Sequence, residues 1–299
     1  MIGYNTLGTN GRLGNQMFQY ASLRGIADKH GYDFCIPPED HPTYADYALF
    51  LAFKMEGVKT GLISGSTLSE SGYEFDENLF NTCPDNVNLD GYYQTEKYFK
   101  HAEKNVRKDF TFKDDILEAC KEYIDQYDDI SFLHVRRGDN VGREDYYPMP
   151  TPEWMGEMVE KHFPNRPILI CTDDLDWVKS QDVFKDDKFI ISETRLYYDT
   201  PVMIGGGSYA KSLVPYYDLC LMSLCNGAII ANSSLSWWGA WLQASPDKKI
   251  VAQDPWYGPK YHLIIQKICI QNLGLWRRYE NYNIRIKWAN RIISDRVSS

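Results

Sequence analysis

Residues 130–139 read Ile-Ser-Phe-Leu-His-Val-Arg-Arg-Gly-Asp, an apolar run that leads into two arginines, a glycine and an aspartate. The run over residues 130–135 predicts a short buried strand. Arg136 and Arg137 then place positive charge at its carboxyl end, the edge at which open α/β sheets bind ligands. Because a guanidinium fork matches the oxygens of phosphate, the stretch predicts a phosphate-bearing ligand near Arg136. A surface salt-bridge cluster is the alternative.

A glycine-rich turn near the start of the chain supplies a second anion-binding pattern. Residues 11–21 read Gly-Arg-Leu-Gly-Asn-Gln-Met-Phe-Gln-Tyr-Ala, after a predicted strand over residues 2–7 and at the start of a predicted helix over residues 14–30. The backbone N–H groups and the dipole of a helix N-terminus favour an anion. The spacing is neither G-x-G-x-x-G nor a Walker loop, so a nicotinamide oxidoreductase has no support.

A third motif combines hydroxyl groups with tryptophans. Residues 232–242 read Asn-Ser-Ser-Leu-Ser-Trp-Trp-Gly-Ala-Trp-Leu and follow a predicted strand over residues 227–231. The asparagine and serines are typical helix caps, and a short helix is predicted over residues 235–244. This motif is therefore another helix N-terminus suited to phosphate, and at least two of its tryptophans are expected in the core.

With these three motifs in this order, the sequence resembles the α-1,2-fucosyltransferases of glycosyltransferase family 11. Shorter matches lie at residues 91–99, 172–174 and 218–225. The resemblance implies a GT-B-like α/β fold, in which two Rossmann-like domains face each other across a cleft. It also implies inverting transfer of L-fucose from GDP-β-L-fucose to a galactoside 2-hydroxyl. The alternation of predicted strands and helices independently favours parallel sheets.

The order of predicted elements suggests three parts of the chain. Residues 1–128 are expected to form a Rossmann-like acceptor-side domain, and residues 129–275 the GDP-fucose-binding domain. Residues 276–299 read as a basic helix that packs back on the N-terminal domain; peripheral contact with an acidic membrane is the alternative. Residues 37–86 look irregular and are expected to carry long loops and part of the acceptor surface. The glycines of residues 205–208 are interpreted as a connector or a closing loop.

The resemblance and the residue chemistry together assign a donor site. Arg136 is expected to bind the pyrophosphate and to stabilise the charge that grows on the leaving GDP. Arg137 either supports Arg136 or pairs with Asp139, and His134 either contacts the guanine or buttresses Arg136. Asp173 or Asp174 can accept the guanine N–H groups. The full set of expected donor contacts is Arg12, Gly14, Asn15, His134, Arg136, Arg137, Asp173, Asp174, Asn232, Ser233 and Ser234.

The general base is expected among the acids that follow this motif. Glu144 is the first candidate, because residues 134–144 also resemble the related α-1,6-fucosyltransferases, in which a glutamate at this spacing is a proposed base. Asp139 and Asp145 are rivals, and a solvated loop acid is the alternative. The catalytic set is therefore Arg136, Glu144 and Asp139.

Composition limits the remaining function classes. The 299 residues carry a net charge of −9, which argues against nucleic-acid binding. Seven cysteines are scattered without a C-x-x-C pair, which predicts reduced thiols and a cytoplasmic location. Asp-x-Asp occurs only at residues 174–176, where acids suit a helix N-terminus, so no metal or other cofactor is expected. The alternatives are another linkage or acceptor, or a catalytically silent glycan- or nucleotide-binding protein.

Overall fold

A computed structural model describes residues 1–41, 47–192, 203–204, 207–208 and 215–261, with only the backbone of residues 203–204 and 207–208. The predicted basic helix over residues 276–299 lies outside these residues. So do two glycines of the 205–208 segment and residues 209–214, where the sequence predicts the first part of a helix that extends to residue 224.

The N-terminal part builds a parallel sheet of four short strands in the order β2-β1-β4-β3. Helix α1 (Leu13–His30) is buried along most of its length. It is followed by Gly31, whose left-handed φ of 69° suits glycine. The strands are β1 (Ile2–Gly3), β2 (Phe34–Cys35), β3 (Ser66–Ser69) and β4 (Val87–Asp90). The helices are α1 (Leu13–His30), α2 (Leu49–Ala52), α3 (Glu77–Thr82), α4 (Glu103–Asp109) and α5 (Asp114–Ile124).

The C-terminal part builds a five-stranded parallel sheet in the order β11-β10-β5-β6-β7. Its strands are β5 (Ser131–Val135), β6 (Ile168–Thr172), β7 (Phe189–Ile191), β10 (Gly227–Ile230) and β11 (Lys249–Ala252), and β8 (Met203–Ile204) pairs with β9 (Gly207–Ser208) in a separate hairpin. The helices are α6 (Pro152–His162), α7 (Leu175–Ser180), α8 (Pro215–Leu224) and α9 (Ser234–Leu242). The expected α/β fold with parallel sheets is confirmed, while the boundaries at residues 128 and 275 stay predictions.

Helices α1 and α9 join the two sheets through an aromatic core. The Phe18 ring of α1 lies 4.6 Å from Trp237 and 4.9 Å from Trp238, centroid to centroid. Trp237, Trp238 and Trp241 are all buried, which confirms the expected core role. Arg107 of α4 donates to the Trp241 carbonyl at 2.8 Å and lies 4.1 Å above that indole. The N-terminal part thus holds both the side and the C-terminus of α9.

Two predicted elements are shorter than expected because of local bonding and packing. The strand over residues 2–7 ends at Gly3, since Leu7 N donates to Tyr4 O at 3.0 Å and turns the chain. The sequence over residues 96–108 predicts a second such element, a helix, but the helix begins only at Glu103, after two 3₁₀ turns. Phe99 breaks the helix with φ of −133° and packs its ring 5.4 Å from Trp238. Tertiary packing therefore overrides the local helical pattern there.

The described part of residues 37–86 holds more regular structure than its sequence suggests. It contains α2, β3 and α3, of which β3 forms an exposed edge strand and α3 is capped by Asp76. The short lengths of these elements explain why hydrophobic periodicity did not reveal them.

Candidate active site

Parallel pairing brings the expected donor residues to one edge of the C-terminal sheet. Val135 of β5 lies opposite Thr172 of β6, so Arg136 and Asp173 leave the sheet side by side. The pairing of β10 with β5 sets Ile229 opposite Leu133, which brings Asn232 to the same edge. This edge faces the N-terminus of α1 across a cleft of about 280 Å³. From the C-terminal part, the cleft is lined by Arg136, Asp139, Asn140, Arg143, Asn232, Ser233 and Ser234, together with aromatic residues.

Arg136 lines the cleft between two carboxylates. Its Nη1 donates to Asp173 and its Nη2 donates to Asp139. Only 18% of its side chain is exposed. Gly138 has φ of +24°, and a Cβ there would lie 2.4 Å from Asp173 Oδ2. The turn therefore requires glycine to keep Arg136 and Asp173 together, and the guanidinium is fixed before any ligand arrives.

Arg137 points away from the cleft. Its Nε donates to Asp174 Oδ2 at 2.9 Å, and its guanidinium lies 4.0 Å above the Trp177 ring. The expected alternative that Arg137 pairs with Asp139 is wrong, because Asp139 pairs with Arg136 and Arg137 turns back towards α7. Asp174 also caps α7 by accepting from Trp177 N at 3.2 Å.

The two aspartates proposed for guanine recognition are engaged with arginines. Asp173 accepts from the Arg136 side chain and, at 2.8 Å, from the Arg137 backbone N–H. Neither Asp173 nor Asp174 lines the cleft. Their contact with the base stays a prediction, since the structure shows them positioning the arginines.

His134 is buried behind Arg136 and does not line the cleft. Its Nδ1 has no hydrogen-bond partner among the described residues. Burial lowers its pKa to about 4, Asp173 opposes this effect, and Arg136 adds to it. The imidazole is therefore neutral at pH 7, which fits a buttress better than a charged ligand contact.

The N-terminus of α9 faces that of α1 at very close range. A Cβ at Gly14 would lie 2.6 Å from both Ser234 Oγ and Leu235 N, so this glycine lets the two helices touch. Ser233 caps α9 by accepting from Leu235 N at 3.3 Å, and Asn232 donates to the carbonyls of Pro148 and Trp256 at 3.3 Å.

The residues expected from the glycine-rich turn are divided by the structure. Asn15 lines the cleft and accepts from Gln94 Nε2 at 2.8 Å. Arg12 is exposed at the start of α1 and does not line the cleft. The donor contact of Arg12 therefore remains a prediction without geometric support.

The candidate bases are also separated. Glu144 is exposed and accepts from Gly142 N at 2.9 Å, a bond that lowers its pKa. It does not line the cleft, and Asp145 pairs with Lys260 at 3.0 Å. Asp139 is the one carboxylate among the described residues that line the cleft. The geometry therefore favours Asp139 over Glu144 as the general base.

Several cleft residues were missed by sequence reasoning. Arg143 is the second cation of the lining, and Gln94 bridges the two sheets, because its amide oxygen accepts from Tyr257 at 3.3 Å. Five tyrosines also line the cleft: Tyr73, Tyr92, Tyr147, Tyr257 and Tyr261. Tyr92 and Gln94 fall within the short match at residues 91–99, which assigned no role to either, and no pattern identified the others, which lie on loops.

Within the described part of the chain, no cluster of three His, Cys, Asp or Glu side chains is arranged to hold a metal ion. None of the helices described there has both the length and the apolar character to cross a membrane.

Comparison with known proteins adds family and fold. A model of "Glycosyl transferase family 11" matches residues 1–267. An alpha-1,2-colitosyltransferase of Escherichia coli is 27% identical, over 83% of this chain and 90% of its own length. Galactoside alpha-(1,2)-fucosyltransferase 2 of Sus scrofa is 23% identical, over 80% of this chain and 70% of its own length.

Two solved structures share the fold. The fucosyltransferase NodZ from Bradyrhizobium superposes with a TM-score of 0.50 at 13% identity, covering 81% of this chain and 92% of NodZ. POFUT1 in complex with GDP gives a TM-score of 0.51 at 11% identity, covering 84% of this chain and 97% of POFUT1. At these identities the likeness bears on the fold alone, and it confirms the expected GT-B-like arrangement.

Proposed function

This chain belongs to glycosyltransferase family 11, and we propose that it transfers L-fucose from GDP-β-L-fucose to the 2-hydroxyl of a galactoside with inversion. The observation that carries the proposal is Arg136, fixed at the end of β5 and facing the cleft with the capped N-terminus of α9. The α-1,2 linkage draws support from both named sequence relatives, whose names share it.

The donor sugar has a second candidate. The Escherichia coli relative is named for colitose, which is fucose without its 3-hydroxyl. A site that hydrogen-bonds this hydroxyl rejects the deoxy sugar strongly, whereas an apolar pocket discriminates weakly. Comparing the transfer rates with GDP-fucose and with GDP-colitose therefore shows which of the two sugars the site accepts.

The proposed reaction is a direct displacement. The acceptor oxygen attacks the anomeric carbon, the bond from this carbon to the β-phosphate oxygen breaks, and GDP leaves with the electron pair. Negative charge grows on that phosphate. Arg136 is already oriented by Asp173 and Asp139, so it stabilises the charge without reorganising. Arg143, Ser233 and Ser234 supply further donors around the cleft.

Asp139 is the proposed general base. It lines the cleft, and 55% of its side chain is exposed to an incoming hydroxyl. A base must come within about 3 Å of the proton that it removes, and Glu144 does not line the cleft. The bond to Asp173 keeps Arg136 in place while phosphate replaces Asp139 at the guanidinium, and this exchange frees the Asp139 carboxylate as the donor binds.

Four further expectations belong to this proposal. Charge stabilisation by arginines supports metal-independent transfer. The cysteine pattern supports a cytoplasmic location. Peripheral membrane contact would involve residues 276–299, which lie outside the described residues. The expected partners are GDP-fucose and a galactoside glycan, and no nucleic acid.

GDP release from GDP-fucose tests the proposal when it is measured in EDTA with and without lactose, and NMR of the product gives the linkage. Lactose-dependent release in EDTA supports the reaction and its independence of metal. Release that requires added Mn²⁺ would overturn metal independence alone. Calorimetric GDP binding without turnover on a panel of galactosides would instead indicate a silent binding protein.

A further inference from the structure

Three of the five cleft tyrosines form a connected group on the C-terminal side. The hydroxyls of Tyr147 and Tyr261 lie 2.6 Å apart. The Tyr257 ring centroid lies 4.8 Å from that of Tyr261 and 6.4 Å from that of Tyr147. These contacts hold three ring edges at the cleft in fixed relative positions.

The other two tyrosines come from the N-terminal side. Tyr92 follows β4, and Tyr73 follows β3. Tyr73 lies close enough to Tyr261 to help raise the pKa of its phenol, after burial and the neighbouring Tyr147. Both sheets thus contribute to one surface, the tyrosine wall, which consists of Tyr73, Tyr92, Tyr147, Tyr257 and Tyr261.

The two N-terminal tyrosines are unusually open to solvent. Tyr73 is 51% exposed and Tyr92 is 37% exposed. Tyr146, which is 39% exposed, extends the surface with its ring 5.5 Å from that of Tyr261. Clustered exposed aromatic side chains beside a cleft indicate a binding surface rather than core packing.

Hydrogen bonds to the backbone of the residues on both sides hold Tyr92 in place. Glu70 accepts from Tyr93 N at 2.8 Å, Gln19 donates to Gly91 O at 3.1 Å, and Ser22 donates to Tyr93 O at 3.3 Å. These bonds fix Tyr93 in a left-handed conformation with φ of 52°, which a bulky residue seldom adopts. The strained backbone at Tyr93 fixes the position of the neighbouring Tyr92. Backbone strain of this kind is found at functional sites.

The chemistry of the wall suits a neutral sugar. Phenol rings offer apolar faces to the C–H groups of a pyranose, and their hydroxyls can donate to or accept from sugar hydroxyls. The wall itself consists of tyrosines alone, and the pyrophosphate position is assigned to Arg136. Two cations lie beside it: Lys260, 5.3 Å from the centroid of the Tyr146 ring, and Arg143, which lines the cleft and opposes the rise in the pKa of the Tyr261 phenol.

We propose that the tyrosine wall is the acceptor subsite and that Tyr73 and Tyr92 stack on the sugar units that follow the terminal disaccharide of the acceptor. The inference deepens the proposed function and rests on it for the identity of the acceptor. It follows that a neutral oligosaccharide longer than lactose and ending in β-galactose is a better acceptor than lactose, because only the longer glycan reaches both exposed rings.

The test uses Tyr73→Ala and Tyr92→Ala, with Tyr127→Ala as the matched control. Tyr127 is partly buried beyond the end of α5 and does not line the cleft. KM is measured for lactose and for a tetrasaccharide ending in β-galactose, and the Kd for GDP is measured by calorimetry. Loss of one ring contact should raise the tetrasaccharide KM about tenfold. The lactose KM and the GDP Kd should stay within about threefold, and Tyr92→Phe should retain most of the binding.

If the ratio of the tetrasaccharide KM to the lactose KM were the same in the wild type and in both alanine variants, the proposed subsite would be overturned. A loss of GDP affinity in the same variants would also overturn it. Saturation-transfer NMR of the tetrasaccharide separates this result from failure of the transferase proposal. Binding that depends on Tyr92 without any fucose transfer keeps the wall and rejects the reaction. Fucose transfer with unchanged binding in both variants rejects the wall alone, and the absence of both transfer and binding rejects both.

Discussion

The two sheets face one cleft but differ in regularity. Strands β5, β6 and β10 are buried at every position, and their carboxyl ends deliver Arg136, Asp173 and Asn232. The N-terminal sheet has two-residue strands β1 and β2 and an exposed edge strand β3, and it reaches the cleft largely through loops. Fixed charge chemistry thus lies on a rigid sheet, whereas recognition of a variable ligand lies on loops that can change without disturbing a core.

Arg136→Ala is the sharpest test of the rigid side. Removing a preorganised cation that acts on the leaving phosphate should lower kcat about a thousandfold. Arg166→Ala is a control on the same sheet, because Arg166 pairs with Asp129 at the opposite end of β5. Steady-state kinetics and thermal melting check both variants, and wild-type turnover in Arg136→Ala would refute the proposed charge stabilisation.

The two acids that follow this arginine give the next largest contrast. Asp139→Asn should lower kcat about a hundredfold because it removes the base, whereas Glu144→Gln should change kcat by less than about threefold. Measuring the Kd for GDP distinguishes two causes of a lower kcat in Asp139→Asn. A disturbed Arg136 weakens GDP binding, whereas loss of the base alone does not. A large loss in Glu144→Gln alone would return the base to the residue favoured by sequence resemblance.

Gly14→Ala tests whether the two halves depend on each other. The new Cβ would lie 2.6 Å from Leu235 N and Ser234 Oγ, so α1 and α9 would be pushed apart at a cost of about 2 kcal/mol in the free energy of unfolding. Gly72→Ala is the control, because a Cβ there meets nothing within 4 Å. Urea unfolding gives the free energy of unfolding of both variants. Equal values for Gly14→Ala and Gly72→Ala would show that the contact between the helices is loose.

The last contrast concerns a pH dependence of stability on the loop side. Burial raises the pKa of Glu70 from 4.5 to about 7. The folded chain therefore keeps a proton that the unfolded chain has lost, and stability falls as pH rises from 4.5 to 7. Glu70→Gln mimics the protonated acid and should remove this decline, which amounts to up to about 3 kcal/mol.

Melting curves across this pH range compare Glu70→Gln with Glu77→Gln, a change at an exposed position of α3. A wild-type pH slope in the Glu70 variant would mean that this carboxylate is not desolvated.

Sequence reasoning succeeded where a signal was local. The sequence predicts α1, β5, β10 and α9 with nearly the observed bounds, because continuous apolar runs and caps mark them. Sequence reasoning found the family from three motifs. It could not foresee that Arg137 turns to Asp174 and Trp177, since this pairing depends on the register of β5 against β6. The tyrosine wall was equally hidden, because its members are distant in sequence and lie on loops.

The bonds that secure residues 91–94 have a consequence for entropy. Ordering a flexible residue costs about 1–2 kcal/mol on binding, but this segment is already tied to α1 and β3 by Gln19, Ser22 and Glu70. A ligand that docks on Tyr92 therefore finds its surface ready. The remaining loss of freedom belongs to the glycan, so a stiff oligosaccharide should bind more tightly than a flexible one with the same contacts.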